Sequence, residues 1–295
     1  MVVLAGPTAS GKSEVALLLA EQLSGEIVSV DSMQVYRGMD IGTAKPSGAD
    51  RARVPHHLID LVDVTEAFDA AQFARAAHAA VAAIEARGKR AILCGGTGLY
   101  FNAFFRGVGT APAAATELRH ALEKMPLEEL LKELAERDPA TCATIDRKNP
   151  RRVIRAVEVI RQTGRPFSEQ KSNWTSRNST PPVFALRRTK EDLHNRINER
   201  VNAMFAKGLV DETRRLLEEG MASNRTAMQA LGYRQVVTHL RGEGSLAETI
   251  ERVKLRTRQF AKRQMTWFRG QLKPKWIDVA ANETPADIAR QILRP

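Results

Sequence analysis

Cysteine is almost missing from this chain: its 295 residues hold two, Cys94 and Cys142. Neither belongs to a Cys-x-x-Cys pair, so a disulfide framework and a zinc site are both unsupported, and both residues read as buried thiols of a reducing compartment. No apolar run approaches the ~20 residues of a membrane span, and no basic region followed by an apolar stretch opens the chain. The expectation is a cytoplasmic protein with no membrane partner. The six histidines are scattered, and His56-His57 is a pair without further ligands, so no histidine metal centre is expected. Acid is short as well. Lys plus Arg outnumber Asp plus Glu by 45 to 34, a net charge of +11 that makes a polyanion a reasonable partner. What is plentiful is apolar side chain, 43% of the residues, which excludes wholesale disorder.

Short apolar runs at residues 2–5, 26–30, 90–94 and 183–186 read as buried strands, and further short strands are expected at 57–62 and 275–279. Helical patterns cover residues 13–23 and 68–87. Strands alternating with helices predict a parallel sheet covered on both faces. From residue 112 to about 175 the patterns are helical only, at 117–124, 127–137 and 151–161. Residues 175–182, polar with two prolines, read as a linker. Helices then follow the strand at 183–186 as far as residue 271. The predicted architecture is an α/β core in two parts, residues 1–110 and 181–295, interrupted by a helical insertion at 111–180.

Gly6-Pro7-Thr8-Ala9-Ser10-Gly11-Lys12-Ser13 fits G-x-x-x-x-G-K-[ST] between a strand and a helix. The glycines let backbone N–H groups turn around phosphate oxygens, the helix N-terminus adds positive charge, Lys12 adds a full one, and Ser13 can hold Mg²⁺. The pattern specifies phosphate without naming the compound. A nucleotide hydrolase usually has a second apolar strand ending in a metal-binding Asp. Here that strand runs into Gly95-Gly96-Thr97 instead, which weakens ATP hydrolysis and leaves a departing diphosphate as an equal fit. Asp31 follows the second strand. Ligands of open parallel sheets sit outside the carboxyl ends of the strands, so the loops at Gly6, Asp31 and Gly95 should meet at one crevice. Asp31 there can bind metal, accept a proton from a nucleophile, or merely cap its own turn. Gln34 can read an adenine edge, and Tyr36 reads as packing.

Between residues 252 and 277 stand nine basic residues and no acid, with Phe260, Trp267, Phe268 and Trp276 among them. Lys254, Arg258 and Lys262, four apart, line one helical face, while Val253, Phe260 and Trp267, seven apart, suit a packed face. A charge run is ordinarily a solvated face, but one without compensating acids suits RNA. A second cluster, Arg147, Lys148, Arg151, Arg152, Arg155, Arg161 and Arg165, faces the single acid Glu158. The two patches read as a clamp on a folded RNA. A small-molecule kinase explains the phosphate loop but neither basic patch, and a non-catalytic RNA-binding protein leaves Asp31 without work.

Further segments fall in a telling order: the phosphate loop, Asp31-Ser32-Met33-Gln34-Val35-Tyr36, Gly42-Thr43-Ala44-Lys45-Pro46, Gly95-Gly96-Thr97-Gly98-Leu99-Tyr100, Asn149-Pro150-Arg151-Arg152, Gln229-Ala230-Leu231-Gly232-Tyr233-Arg234 and Lys262-Arg263-Gln264-Met265-Thr266-Trp267-Phe268-Arg269. Together they resemble the tRNA dimethylallyltransferases (isopentenyltransferases) over nearly the whole chain. The resemblance implies a P-loop NTPase-like core of nucleoside-kinase type with a mostly helical insertion, a monomer that requires Mg²⁺, dimethylallyl diphosphate as donor, and N6 of adenosine-37 beside the tRNA anticodon as acceptor. It implies that Asp31 is the general base and that Thr97 and an arginine, Arg196 or Arg200, hold the diphosphate with Lys12. It places tRNA contacts on Asp31, Ser32, Met33 and Gln34, on Thr97 and Arg119, on Arg151, Arg152, Val153, Ile154 and Arg155, and on the segments 229–234 and 262–269. The chain departs from the family in opening almost on its first strand, without the usual short leader. It also lacks the zinc finger of many eukaryotic relatives, which points to the bacterial type.

Overall fold

The computed structural model describes residues 1–170 and 181–294. Six parallel strands make one sheet: β1 (Val2–Ala5), β2 (Gly25–Val30), β3 (His56–His57), β4 (Arg90–Gly95), β5 (Val183–Arg187) and β6 (Lys275–Asp278), in the order β3-β2-β4-β1-β5-β6. The continuous apolar runs of the inner strands follow from burial on both faces. Because side chains alternate across a strand, Val3, Val28, Val30, Leu93 and Ala185 enter the core on one face, and Leu4, Ile27, Ile92, Cys94 and Leu186 the core on the other. Helix Lys12–Gln22 covers the second face together with helix Pro285–Leu293, whose Ile288, Ala289 and Ile292 pack into the same cluster. Sequence reading stops short of that last helix.

The strand expected at 57–62 ends after His57. Leu58 and Asp60 take positive φ, 64° and 56°, which breaks extended pairing, and only an isolated bridge from Tyr36 to Val62 survives. The opposite edge of the sheet holds its expected strand at β6. The expected linker, apart from its last two residues, lies outside the described residues.

The chain divides into two compact units. One is Met1–Phe105 with the chain from residue 181 onward, and the other begins at Arg106 and is described through Gln170. The second unit contains helices Thr116–Glu123, Leu127–Arg137, Pro139–Thr144, Pro150–Thr163 and Phe167–Gln170 and no strand among the described residues. Leu122, Leu130, Leu134, Val153, Val157 and Ile160 form its core. Glu158, the lone acid of the basic cluster, is fully buried there and accepts hydrogen bonds from Arg119, from Arg155 (2.7 Å) and from the Ala115 N–H (3.0 Å). A buried carboxylate needs such partners. Two arginines that sequence assigns to RNA are therefore half-buried anchors of the unit's own core.

Among the described residues no helix is long and apolar enough to cross a membrane.

Candidate active site

Three loops leave the sheet at one level. Ala5 of β1 and Val30 of β2 both pair with Gly95 of β4, so the phosphate loop, the Asp31 turn and the Gly96-Thr97 turn start side by side. Gly95 has to be glycine: a Cβ there would stand 2.1 Å from the Val30 carbonyl oxygen, which is backbone and cannot step aside. The phosphate loop itself turns through left-handed conformations at Ala9 (φ 63°) and Gly11 (φ 92°).

Arginines hold that loop from outside. Arg188 Nε donates to the Ser10 carbonyl (2.9 Å), Arg196 Nε to the Ala9 carbonyl (3.0 Å), and Arg200 Nη1 to Thr8 Oγ1 (3.2 Å). Tying carbonyls outward leaves the loop's remaining N–H groups for an anion, those of Thr8 and Ser10 being taken by Gln264 and by the Pro7 carbonyl. Gly11, Lys12, Ser13, Arg196, Glu199 and Arg200 line a cavity of about 340 Å³. Burial pulls the Lys12 ammonium below its usual range, with Arg200 pushing the same way and Asp31 opposing. Burial, then the neighbouring Arg196, likewise lowers Arg200, against Glu14 and Asp31. Concentrated, poorly hydrated positive charge of this kind is relieved by an incoming polyanion.

Asp31 is half-buried. Its Oδ1 accepts from the Met33 N–H (2.8 Å) and the Gln34 N–H (3.3 Å), so it does cap its own turn, and only one oxygen is committed. Thr97 Oγ1 accepts from the Ser32 N–H (3.1 Å), and the Thr97 N–H reaches the Val30 carbonyl (3.2 Å), which locks the Asp31 turn to the end of β4. Gln264, buried on helix Leu246–Trp267, completes the lacing: its Oε1 accepts from the Thr8 N–H (2.9 Å) and its Nε2 donates to the Gly96 carbonyl (2.8 Å). Gly98 leaves room for Trp267, whose ring would lie 2.2 Å from a Cβ there. Below the loop, burial pushes the Cys94 thiol up to about 11. No group of three or more His, Cys, Asp or Glu side chains placed to hold a metal ion occurs among the described residues.

The family model described as IPP transferase matches residues 34–271. The chain is 48% identical over 280 residues to the tRNA dimethylallyltransferase 1 of Citrifermentans bemidjiense, covering 94% of this chain and 92% of that protein. It is 47% identical over 286 residues to the tRNA dimethylallyltransferase of Geobacter metallireducens, again 94% and 92%. The crystal structure of the full-length tRNA isopentenylpyrophosphate transferase of Bacillus halodurans superposes with a TM-score of 0.71 at 38% identity, over 99% of this chain and 94% of that one. The chain belongs to the IPP transferase family, that of the tRNA dimethylallyltransferases. A eukaryotic dimethylallyltransferase captured acting on tRNA superposes with a TM-score of 0.79 at 29% identity, over 94% of this chain and 73% of that one. The six-stranded parallel sheet is the P-loop NTPase-like core of the IPP transferase family.

The IPP transferase resemblance assigns whole segments to tRNA, and the structure sorts their residues. Arg151, Arg152, Gln229, Arg234, Lys262, Arg263, Thr266 and Arg269 are exposed. The side chains of Val153 and Ile154 face the core of the helical unit instead. Ala230, Gly232, Tyr233 and Phe268 are likewise buried, with Leu231, Met265 and Trp267 half-buried. Tyr233 gives its hydroxyl to buried Glu212 (2.6 Å) and accepts from the Gly42 N–H (3.0 Å), which ties two motifs together. Gln34 is committed too: its Oε1 accepts from Ser29 (2.8 Å) and its Nε2 faces the Thr43 and Ala44 carbonyls (3.3 and 3.4 Å). Phe260 is 37% exposed, which corrects its place on the packed face. The buried residues of helix Leu246–Trp267 are Thr249, Val253, Thr257, Ala261 and Gln264. Sequence reading missed Arg188 and Glu212. Arg188 follows the carboxyl end of β5, where the crevice rule points; nothing in the pattern marks Glu212.

Proposed function

We propose that this chain transfers the dimethylallyl group of dimethylallyl diphosphate to N6 of adenosine-37, next to the anticodon of tRNA, giving N6-isopentenyladenosine and diphosphate. The observation that carries the reading is the lacing of the phosphate loop, the Asp31 turn and the Thr97 turn into one rim at the carboxyl ends of β1, β2 and β4. An anion-binding cradle then stands beside a carboxylate with an uncommitted oxygen, near enough for Asp31 to act electrostatically on Lys12 and Arg200.

An exocyclic adenine amine is a weak nucleophile, but an allylic carbon can carry developing positive charge while diphosphate departs. The protein's work is to hold the two partners in line and to stabilise the leaving charge. The loop N–H groups, Lys12, Arg196 and Arg200 receive the diphosphate as the C–O bond breaks and the N6–C bond forms. Thr97 keeps Asp31 in place, and the second oxygen of Asp31 accepts the N6 proton. Ser13, with an exposed hydroxyl on the lining of the cavity, is an oxygen donor suited to Mg²⁺, which binds through few protein ligands plus waters and phosphate oxygens. When bound, Mg²⁺ shields the charge building on the diphosphate. The target base must leave its stack, which costs little in a single-stranded anticodon loop. The exposed cations at 151–152, 234 and 262–269 give the RNA backbone its counter-charge. The reading takes the protein as a cytoplasmic monomer.

The test is to incubate unmodified tRNA with Mg²⁺ and dimethylallyl diphosphate labelled in its prenyl group. Label in the RNA is expected. Phosphate transfer from ATP to a small acceptor, with unlabelled RNA, would replace this reading with a kinase.

A further inference from the structure

Helix Lys190–Ala206 carries two sets of polar residues on different faces. Arg196 and Arg200 look onto the phosphate loop. Lys190, His194 and Asn198, spaced four apart, form another stripe about 140° away from them around the helix. That stripe meets Arg258 of helix Leu246–Trp267 in a separate open cleft of about 470 Å³, completed by Glu191 and Asn195. No activity discussed so far uses this cleft.

Its chemistry is that of an anion site. Arg258 Nη2 donates to Asn198 Oδ1 (2.6 Å), which turns the Asn198 amide so that its NH₂ end is left over as a donor. Arg258 Nε is buried and has no acceptor among the described residues. Lys190 is exposed and makes no ion pair among the described residues. Glu191 is the one acid on the lining, against Lys190, Arg258 and the titratable His194. Burial, then Arg258 and Lys190, hold the His194 ring below its usual range. One turn beyond Arg258, about 6 Å along the same face, lies exposed Lys262, in the segment the proposed function assigns to RNA.

We propose that Lys190, His194 and Arg258 bind a backbone phosphate of the RNA substrate, extending its track past Lys262 along helix Leu246–Trp267. The proposal rests on the RNA-substrate reading above. The same ligand chemistry would also take a free phosphate, so the experiment has two arms.

In the first arm, binding of unmodified tRNA is measured across about 50–200 mM KCl for the wild type, Lys190→Ala and Lys190→Arg. Each phosphate contact contributes roughly 0.7–0.9 to the slope of log affinity against log salt, or about a threefold change over that range. Lys190→Ala is expected to lose about that much slope and Lys190→Arg to retain it. An unchanged slope in Lys190→Ala overturns the proposal. In the second arm, inorganic phosphate is titrated against chloride at equal ionic strength while the His194 ring proton is followed by NMR, its signal assigned by its loss in His194→Ala. Phosphate is expected to raise the His194 pKa. A His194 response with no RNA effect of Lys190→Ala assigns the cleft to a free phosphate and overturns the RNA claim. No response in either arm removes the anion site altogether. Failure of the parent reading looks different: wild-type protein then neither binds tRNA nor prenylates it, and the NMR arm still decides the cleft.

Discussion

Replacing Gln264 by methionine keeps nearly the same volume on helix Leu246–Trp267 but strands the Thr8 N–H and the Gly96 carbonyl that the amide now serves. The side chain is 7% exposed, so water restores these bonds only in part. A buried group left without a partner costs about 1–3 kcal/mol. Two groups, one of them only part-buried, give about 2 kcal/mol for the variant, or a Tm lower by on the order of 5 °C. Because the bonds tie the phosphate loop to the end of β4, part of the loss should surface as weaker diphosphate binding. A tenfold rise in the pyrophosphate Kd corresponds to about 1.4 kcal/mol. Calorimetric titration of pyrophosphate without RNA reads that number and thermal melting reads the rest. Gln264→Glu supplies a control, since it keeps an acceptor for the Thr8 N–H but sets a carboxylate oxygen against the Gly96 carbonyl. It should therefore melt lower than wild type. Wild-type melting and wild-type pyrophosphate affinity in Gln264→Met would refute the idea that this lacing shapes the loop.

Asp31→Ala should lower kcat by about 10²–10⁴-fold with tRNA affinity little changed, as expected for a lost general base; single-turnover kinetics at saturating tRNA check it, and near-normal turnover removes Asp31 from the chemistry. Lys262→Glu with Arg263→Glu should weaken tRNA binding and leave pyrophosphate affinity alone, and unchanged tRNA affinity contradicts the RNA face. Glu26 gives a pH signature. Burial pushes its carboxyl up, but hydrogen bonds from His57, Lys89 and Arg87 outweigh this and hold it at about 2, below the usual 4.5. The stabilisation is thus fully present above about pH 5 and lost as pH falls toward 2. After allowance for screening at the half-exposed Arg87 and Lys89 it amounts to about 2 kcal/mol. Urea melts of the wild type and Glu26→Gln should accordingly converge in acid, and a constant gap between pH 7 and 3 contradicts the assignment.

Much of this architecture is legible in the sequence because its signals are local. The runs at residues 2–5, 26–30 and 90–94 are apolar because parallel strands are buried on both faces, and residues 6–13 carry their loop geometry in their glycines. What could not be read depends on partners distant in the chain. Val153 and Ile154 sit inside a basic segment, and only the packing of helix Pro150–Thr163 turns them inward. Gln264 stands among cations two residues from Lys262, yet the helix carries it to the opposite side, onto Thr8. Residues 58–62 look extended in composition, but positive φ at Leu58 and Asp60 is set by contacts that no periodicity records.

The fit between Gly42 and Tyr233 carries a constraint on descent. A Cβ at position 42 would stand 2.3 Å from the Tyr233 ring, while the ring's hydroxyl is engaged by Glu212 and by the Gly42 amide itself. A lineage that acquires any side chain at 42 has to shrink the ring at 233 in the same step, and doing so takes the Tyr233 hydroxyl from Glu212, which keeps the N–H groups of Asp40 and Ile41. Two positions 191 residues apart in the chain are therefore free to vary only as a pair, and a recombination point falling between them would join halves that do not match.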